Sequence, residues 1–218
     1  MNRLDDMIVS SDERLTLLFG ELDIAYDERI LTPRPWTLAQ SHWASELLED
    51  APAGGVLELC AGAGHIGLHA VHRTARKLVL VDRDETACSY AQHNVVKAGR
   101  SGLCEVRQAD LAEALQHDER FPIIIADPPW VPTASVGRFP EDPRGAIDGG
   151  PDGLDVTRAC VQVIADHLSR EGSAIVQLGS HAQSVMLADH VAERPDLDLR
   201  VVAQREFPGG VLVRLVRL

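Results

Sequence analysis

From residue 56 onward, short apolar runs alternate with longer amphipathic stretches. Val56–Cys60, Leu78–Asp82, Phe121–Ala126 and Ser173–Leu178 are rich in Val, Ile and Leu, and Leu103–Gln108 is a further strand-like run of mixed polarity. Each is too short for a buried helix, so each predicts a strand. His65–Arg73 and Glu85–Ala98 carry apolar residues at helical spacing, and helix-like text flanks the later strands as well. This alternation predicts a parallel sheet with helices on both faces. The end of the chain departs from it: Leu199–Phe207 and Val211–Leu218 are β-rich and separated by Pro208-Gly209-Gly210, which predicts an antiparallel hairpin. Five runs and a hairpin make an α/β fold with seven strands, mostly parallel.

The first fifty residues follow another rhythm. Asp12–Leu22 has apolar residues at helical spacing, and Trp36–Leu48 does so again after the Pro33-Arg34-Pro35 break. Two helices are expected there. On this reading residues 1–50 form a helical extension that covers substrate or cofactor, and residues 51–218 form the α/β domain. Trp36 and Trp43 stand seven residues apart, on one helical face if that helix holds, which suits core packing.

Composition narrows the picture. The chain has 218 residues, 45% of them hydrophobic and 25% charged, enough for one domain with a substantial core. It holds 33 acidic against 21 basic residues, a formal charge of −12. That balance opposes a phosphate-backbone partner without removing a local basic patch. Cys60, Cys88, Cys104 and Cys160 are widely spaced and form no C-x-x-C pair; reduced core thiols and no metal site are expected. The N-terminus opens Met-Asn-Arg and then two aspartates, and no apolar segment is long enough to span a bilayer. The expectation is a cytoplasmic protein with no membrane partner. The oligomeric state is left open.

Two segments carry candidate chemistry. Val56-Leu-Glu-Leu-Cys-Ala-Gly-Ala-Gly-His-Ile-Gly67 reads as a strand, a glycine turn and a helix start. Gly62, Gly64 and Gly67 allow backbone to approach a ligand closely, although a tight strand-to-helix turn alone uses the same glycines. Asp82, 20 residues after Gly62, ends the next strand, where a carboxylate can accept both ribose hydroxyls. Asp110 follows the third strand, placed to accept from an adenine amino group or to cap a helix. Arg83 and Leu111 adjoin these two acids at the same rim. Nicotinamide dinucleotides and S-adenosyl-L-methionine both suit such a rim, so charge decides. Glu58, four residues before Gly62, would repel a pyrophosphate but suits an ammonium and a sulfonium. His65 lies beside the loop, either touching cofactor through its backbone or solvated at a helix start.

Ile123-Ile-Ile-Ala-Asp-Pro-Pro-Trp130 is the second segment. An apolar strand delivers Asp127 to the rim, and Pro128 and Pro129 stop the strand. Amide and arylamine nitrogens are poor nucleophiles because their lone pairs are delocalised. Asp127 can accept one N–H and the Pro128 carbonyl the other, which stabilises positive charge as a methyl group arrives. Trp130 offers a flat face for a planar group. The Pro- and Gly-rich stretch from Asp127 to about Leu154 exceeds an ordinary loop and predicts a substrate lid; Asp152 or Asp155 is placed to cap the helix that follows it.

From about Leu31 to Leu218 the chain resembles the HemK/PrmC-like branch of class I methyltransferases. The resemblance rests on Pro33-Arg-Pro-Trp-Thr37, the Glu58–Gly64 loop, Asp82, Asp-Pro-Pro-Trp and Asp148-Gly-Gly-Pro-Asp-Gly-Leu-Asp155. It implies a Rossmann-like sheet, S-adenosyl-L-methionine bound by Glu58, Gly62, Gly64, Asp82 and Asp110, and a target nitrogen held by Asp127 to Trp130. It also implies N-methylation of a protein amide such as glutamine. Three departures stand out. The branch has Asn and Tyr where Asp127 and Trp130 stand here, and Asp-Pro-Pro-Trp resembles the tetrapeptide of adenine N6-methyltransferases instead. It has Glu where Trp36 stands. About 50 residues precede the first strand, too few for the helical release-factor-binding domain of the bacterial enzymes. The expected function is methyl transfer to a planar nitrogen of a protein or small molecule. A nucleic-acid adenine or guanine N-methyltransferase is an alternative, as is an enzyme of specialised metabolism that uses the cofactor otherwise.

Overall fold

The computed structural model describes residues 14–218. The elements run β1 (Leu15–Phe19), β2 (Leu22–Tyr26), α1 (Leu38–Asp50), β3 (Val56–Leu59), α2 (His65–Val71), β4 (Leu78–Asp82), α3 (Glu85–Lys97) and β5 (Cys104–Gln108). Then follow β6 (Phe121–Ala126), α4 (Arg144–Ile147), α5 (Asp155–His167), β7 (Leu168–Leu178), α6 (His181–Ala192), β8 (Leu199–Phe207) and β9 (Gly210–Arg217). Seven strands form one sheet in the order β5-β4-β3-β6-β7-β9-β8. The first five in that order are parallel, while β9 is antiparallel to both β7 and β8.

Strand alternation sorts the core into two layers. Leu57, Val79, Ile124, Val176 and Val213 face α5 and α6, where they meet Val161, Ile164, Leu187 and Val191. Their neighbours Val56, Leu78, Leu80, Ile123, Ile125, Ile175 and Leu212 face α1, α2 and α3, meeting Trp43, Leu68 and Val95. Both faces of β3, β4 and β6 are therefore covered, which is why their sequences are largely apolar, whereas the edge strand β5 is partly exposed and carries Glu105, Arg107 and Gln108.

The N-terminal region differs from expectation. Residues 15–26 form an antiparallel hairpin, with Phe19 paired to Leu22 across Gly20-Glu21; Asp12 and the rest of residues 1–13 lie outside the described residues. Gly20 has φ +58, the left-handed backbone that a two-residue hairpin turn requires. The apolar positions of this segment satisfy the helix and strand periods alike, and packing decides between them. Phe19, Ile24 and Ala25 bury against Ala63, Ala87 and Tyr90, while the buried Asn94 side chain bonds the Ala25 N–H and carbonyl at 2.8 and 3.0 Å. Trp36 falls in a short 3-10 turn, Pro35–Thr37, ahead of α1. It is 38% exposed, so only Trp43, at 3%, joins the core. Between β5 and β6 the chain makes turns and no helix.

Among the described residues, no helix is long and apolar enough to cross a membrane.

Candidate active site

After β3 the chain moves outward to β4 and β5, then returns across β3 to begin β6. Such a reversal leaves a crevice at the carboxyl ends of the strands. A cavity of about 840 Å³ occupies it, walled by Gly62, Asp82, Arg83, Asp110, Leu111, Asp127 and Pro129. This volume suits a nucleoside-sized ligand together with part of a second molecule.

The glycine loop divides its labour. Gly62 has φ +52, and a Cβ placed there would meet nothing within 4 Å, so it presents bare backbone to the cavity. Gly64, at φ +75, faces inward, where a Cβ would come within 2.9 Å of Leu80 Cδ1. It is not a cavity wall; it lets the start of α2 close onto β4 and α3. Cys60 also has a positive φ, 56°, an uncommon conformation for a residue with a Cβ. It lines the cavity with its Sγ 3.9 Å from that of Cys160. That neighbour and burial raise the Cys60 pKa, so it stands as a thiol.

Asp82 and Asp127 flank the loop from opposite sides. Asp82 accepts from the Gly62 N–H at 2.8 Å and the Asp84 N–H at 2.9 Å. Burial outweighs these donors and raises its pKa. Each oxygen keeps a second lone pair, so two ribose hydroxyls find acceptors there. Asp127 lies one residue past the β6 ladder, which ends at Ala126 paired with Val176. Burial alone raises its pKa to about 7. Asp110 is exposed at the rim, and its carbonyl accepts from Glu113 in a turn, so it caps no helix. S-adenosyl-L-methionine fits this donor and acceptor set: open backbone at Gly62, paired acceptors at Asp82, and apolar walls at Leu111 and Ile66.

Two expected contacts are not made. Glu58 is fully buried beneath the loop, and its Oε2 accepts from the Gly67 N–H at 2.9 Å. Burial first, and then the nearby Asp127 and Asp82, raise its pKa well above the usual range. The strand period is the cause: Leu57 and Leu59 face one layer, so Glu58 must point into the other, under α2. The repulsion of a pyrophosphate expected from Glu58 therefore does not operate at the cavity wall. Trp130 is likewise off the cavity. Its ring packs where a Cβ on Gly179 would stand, and its carbonyl accepts from Gln183 Nε2 at 2.8 Å. Pro128 is buried beside it, while Pro129 reaches the cavity.

The remaining walls were not evident from the strand motifs. Arg29 to Thr32, Arg34 and Thr37 come from the segment between β2 and α1. The signals in the sequence are the cover role expected of residues 1–50 and the Pro33–Pro35 break, which fixes an extended path. Arg34 Nη2 donates to both carboxylate oxygens of Asp142, at 2.5 and 2.6 Å. The stretch after Asp127 is an ordered cover, pinned by Val131 N–H to the Ile147 carbonyl and Gly149 N–H to the Val131 carbonyl, both at 2.9 Å. Within it, Asp152 accepts from the Leu154 N–H and pairs with Arg158, while Asp155 opens α5. Pro143, Gly145 and Ala146 bring this cover to the cavity. His65 is buried, its Nε2 is 3.2 Å from Thr37 Oγ1, and burial lowers its pKa to about 3. It is a neutral wall residue and not a solvated helix start.

Comparison with known proteins agrees with this architecture. The family described as "Conserved hypothetical protein 95" matches residues 41–136. The chain is 32% identical over 166 residues to the ribosomal protein uL3 glutamine methyltransferase of Bradyrhizobium diazoefficiens, covering 70% of this chain and 52% of that protein. It is 32% identical over 176 residues to the release factor glutamine methyltransferase of Geobacter sulfurreducens, covering 77% and 60%. The chain thus spans between half and three-fifths of the length of these relatives. Among solved structures, the catalytic domain of human Mettl16 in complex with an MAT2A 3'UTR hairpin superposes with a TM-score of 0.70 at 15% identity, over 90% of this chain and 74% of that one. A Pyrococcus abyssi tRNA (uracil-54, C5)-methyltransferase with S-adenosyl-L-homocysteine gives 0.61 at 17%, over 95% and 45%. At such identities these structures show the shared fold alone. The two glutamine methyltransferases are sequence homologues of the chain, which makes it a relative of the HemK/PrmC-like enzymes.

Proposed function

We propose that the protein is an S-adenosyl-L-methionine-dependent N-methyltransferase acting on a protein side-chain amide, with glutamine as the first candidate. One observation supports this most: the Asp127 carboxylate stands without a hydrogen-bonded partner among the described residues, on the wall of the cavity that Gly62 and Asp82 also line. The cofactor, when bound, supplies an activated methyl group. The chain's own work is placement and charge. Gly62 and Asp82 orient the nucleoside part, with Asp110 and Leu111 beside its base and Arg83 at the rim. Asp127 accepts an N–H of the target, and the Pro128 carbonyl, beyond the sheet ladder, takes the second. Both acceptors gain strength as positive charge develops on nitrogen, and fixed placement supplies much of the remaining acceleration. The Pro129 and Pro143 walls exclude water. Trp130, held against Gly179, shapes the outer end of the Asp-Pro-Pro-Trp segment, where a substrate backbone would pass. A cytoplasmic protein substrate belongs with this reading.

The experiment is methyl transfer from labelled S-adenosyl-L-methionine to release factor, to ribosomal protein uL3 and to short single-stranded nucleic acids. Label on a glutamine side chain supports the proposal. Label on adenine alone replaces it with the nucleobase reading, which Asp at position 127 also suits.

A further inference from the structure

On the side of α2 away from the sheet, three potential ligands converge. Glu21 sits in the β1–β2 turn, His69 in the last turn of α2, and His72 immediately after it. One ligand atom from each lies within 4.8 Å of the others. His69 Nε2 is 3.1 Å from Glu21 Oε2, close to the ~3.3 Å edge of a tetrahedron with ligand bonds near 2.05 Å. The His72 ring lies 5.6 Å from that of His69, so a modest side-chain rotation completes the set. The exposed His42 of α1, its ring 5.3 Å from that of His69, stands beside the open fourth position.

We propose that Glu21, His69 and His72 form a zinc-class divalent metal site that staples the N-terminal hairpin to α2. Two features support it. Gly20 brings its backbone so near His69 that a Cβ would collide with the ring, so the turn is seated over the imidazole. Two imidazoles and a carboxylate with an open fourth position are a donor set that zinc accepts. Two features limit affinity. Arg73 pairs with the other Glu21 oxygen and must share it. Metal at Nε2 also moves the His69 proton to Nδ1, which is buried without a partner. Micromolar binding follows, weaker than a dedicated structural site.

The test uses the whole chain without an affinity tag, stripped with chelator and titrated with zinc chloride by calorimetry. One equivalent should bind with micromolar affinity and raise the melting temperature. Glu21→Gln and His72→Ala, both outside the core, should each weaken binding by more than the ~10–100-fold typical of a residue that only orients a ligand. Their melting temperatures without metal should remain near that of the parent, which separates ligation from folding. Cobalt(II) should show tetrahedral absorption in the parent and lose it in both variants. No saturable 1:1 uptake, or uptake unchanged in either variant, overturns the site. None of these readouts depends on methyl transfer.

Discussion

Asp82 and Asp127 end the two strands on either side of β3, face one cavity, and are prepared for it in opposite ways. Asp82 is fixed by two backbone N–H donors before any ligand arrives. Asp127 has no such donors, and its pKa rises to about 7. A carboxylate already anchored is suited to a ligand that stays the same throughout the reaction. One with unsatisfied acceptors gains most from a group whose charge is growing. On the proposed function, the β4 side of the cavity serves binding and the β6 side chemistry.

The most severe test is Asp127→Ala. Turnover should fall by roughly 10²–10³ while the cofactor dissociation constant measured by calorimetry stays nearly unchanged. Asp127→Asn should keep more activity because its amide oxygen still accepts one hydrogen bond. Asp82→Ala should do the reverse, weakening cofactor binding by about 1.5–3 kcal/mol with the smaller effect on turnover at saturation. Equal effects of the two alanines on binding would dissolve the contrast between the sides.

The pH profile sharpens it. The ionised carboxylate is the stronger acceptor for a nitrogen gaining positive charge, so kcat/KM should fall as pH drops below about 7, the value to which Asp127 is raised, and level off at the lower activity of the protonated form. Asp127→Asn should lose that limb. Stability gives a smaller signal of opposite sense. Glu58 holds its proton more tightly folded than unfolded, since burial raises its pKa. Its contribution therefore favours the fold at low pH and is lost as pH rises from the ordinary carboxyl range toward the raised value. Denaturant titrations across that window should show a shallower decline for Glu58→Gln, which can still accept from Gly67. The mildest expected effect is that of Arg34→Ala. Losing a partly exposed charge pair is worth on the order of 1 kcal/mol, seen as several-fold faster release of S-adenosyl-L-homocysteine in stopped flow.

Much of this was legible in the sequence, because the parallel strands are buried on both faces. Leu78–Asp82 and Phe121–Ala126 were bounded correctly, since an aspartate and two prolines mark where burial ends. Asp82, Asp110 and Asp127 reached the cavity for the same reason: each lies at, or within two residues past, the carboxyl end of a parallel strand. What local pattern could not show was which way a side chain faces within a strand or turn. Glu58 points under α2 and not into the cavity, Gly64 serves packing, and Trp130 turns onto Gly179. The hairpin at residues 15–26 was also hidden. Its apolar spacing fits two periods, and the arbiter is Asn94, about 70 residues away. His65 was undecided for the same reason, its burial depending on Thr37 and the distant hairpin.

The sheet order has a consequence for biosynthesis. β9 lies between β7 and β8, so β8 is translated before the strand that will join it to the sheet. Until residues 210–217 emerge from the ribosome, β7 offers an unpaired edge and β8 has no place to dock. Such an edge invites pairing with other chains. Completion of this sheet therefore waits on β9, and slowing elongation upstream of β9 would prolong the interval in which nascent chains aggregate.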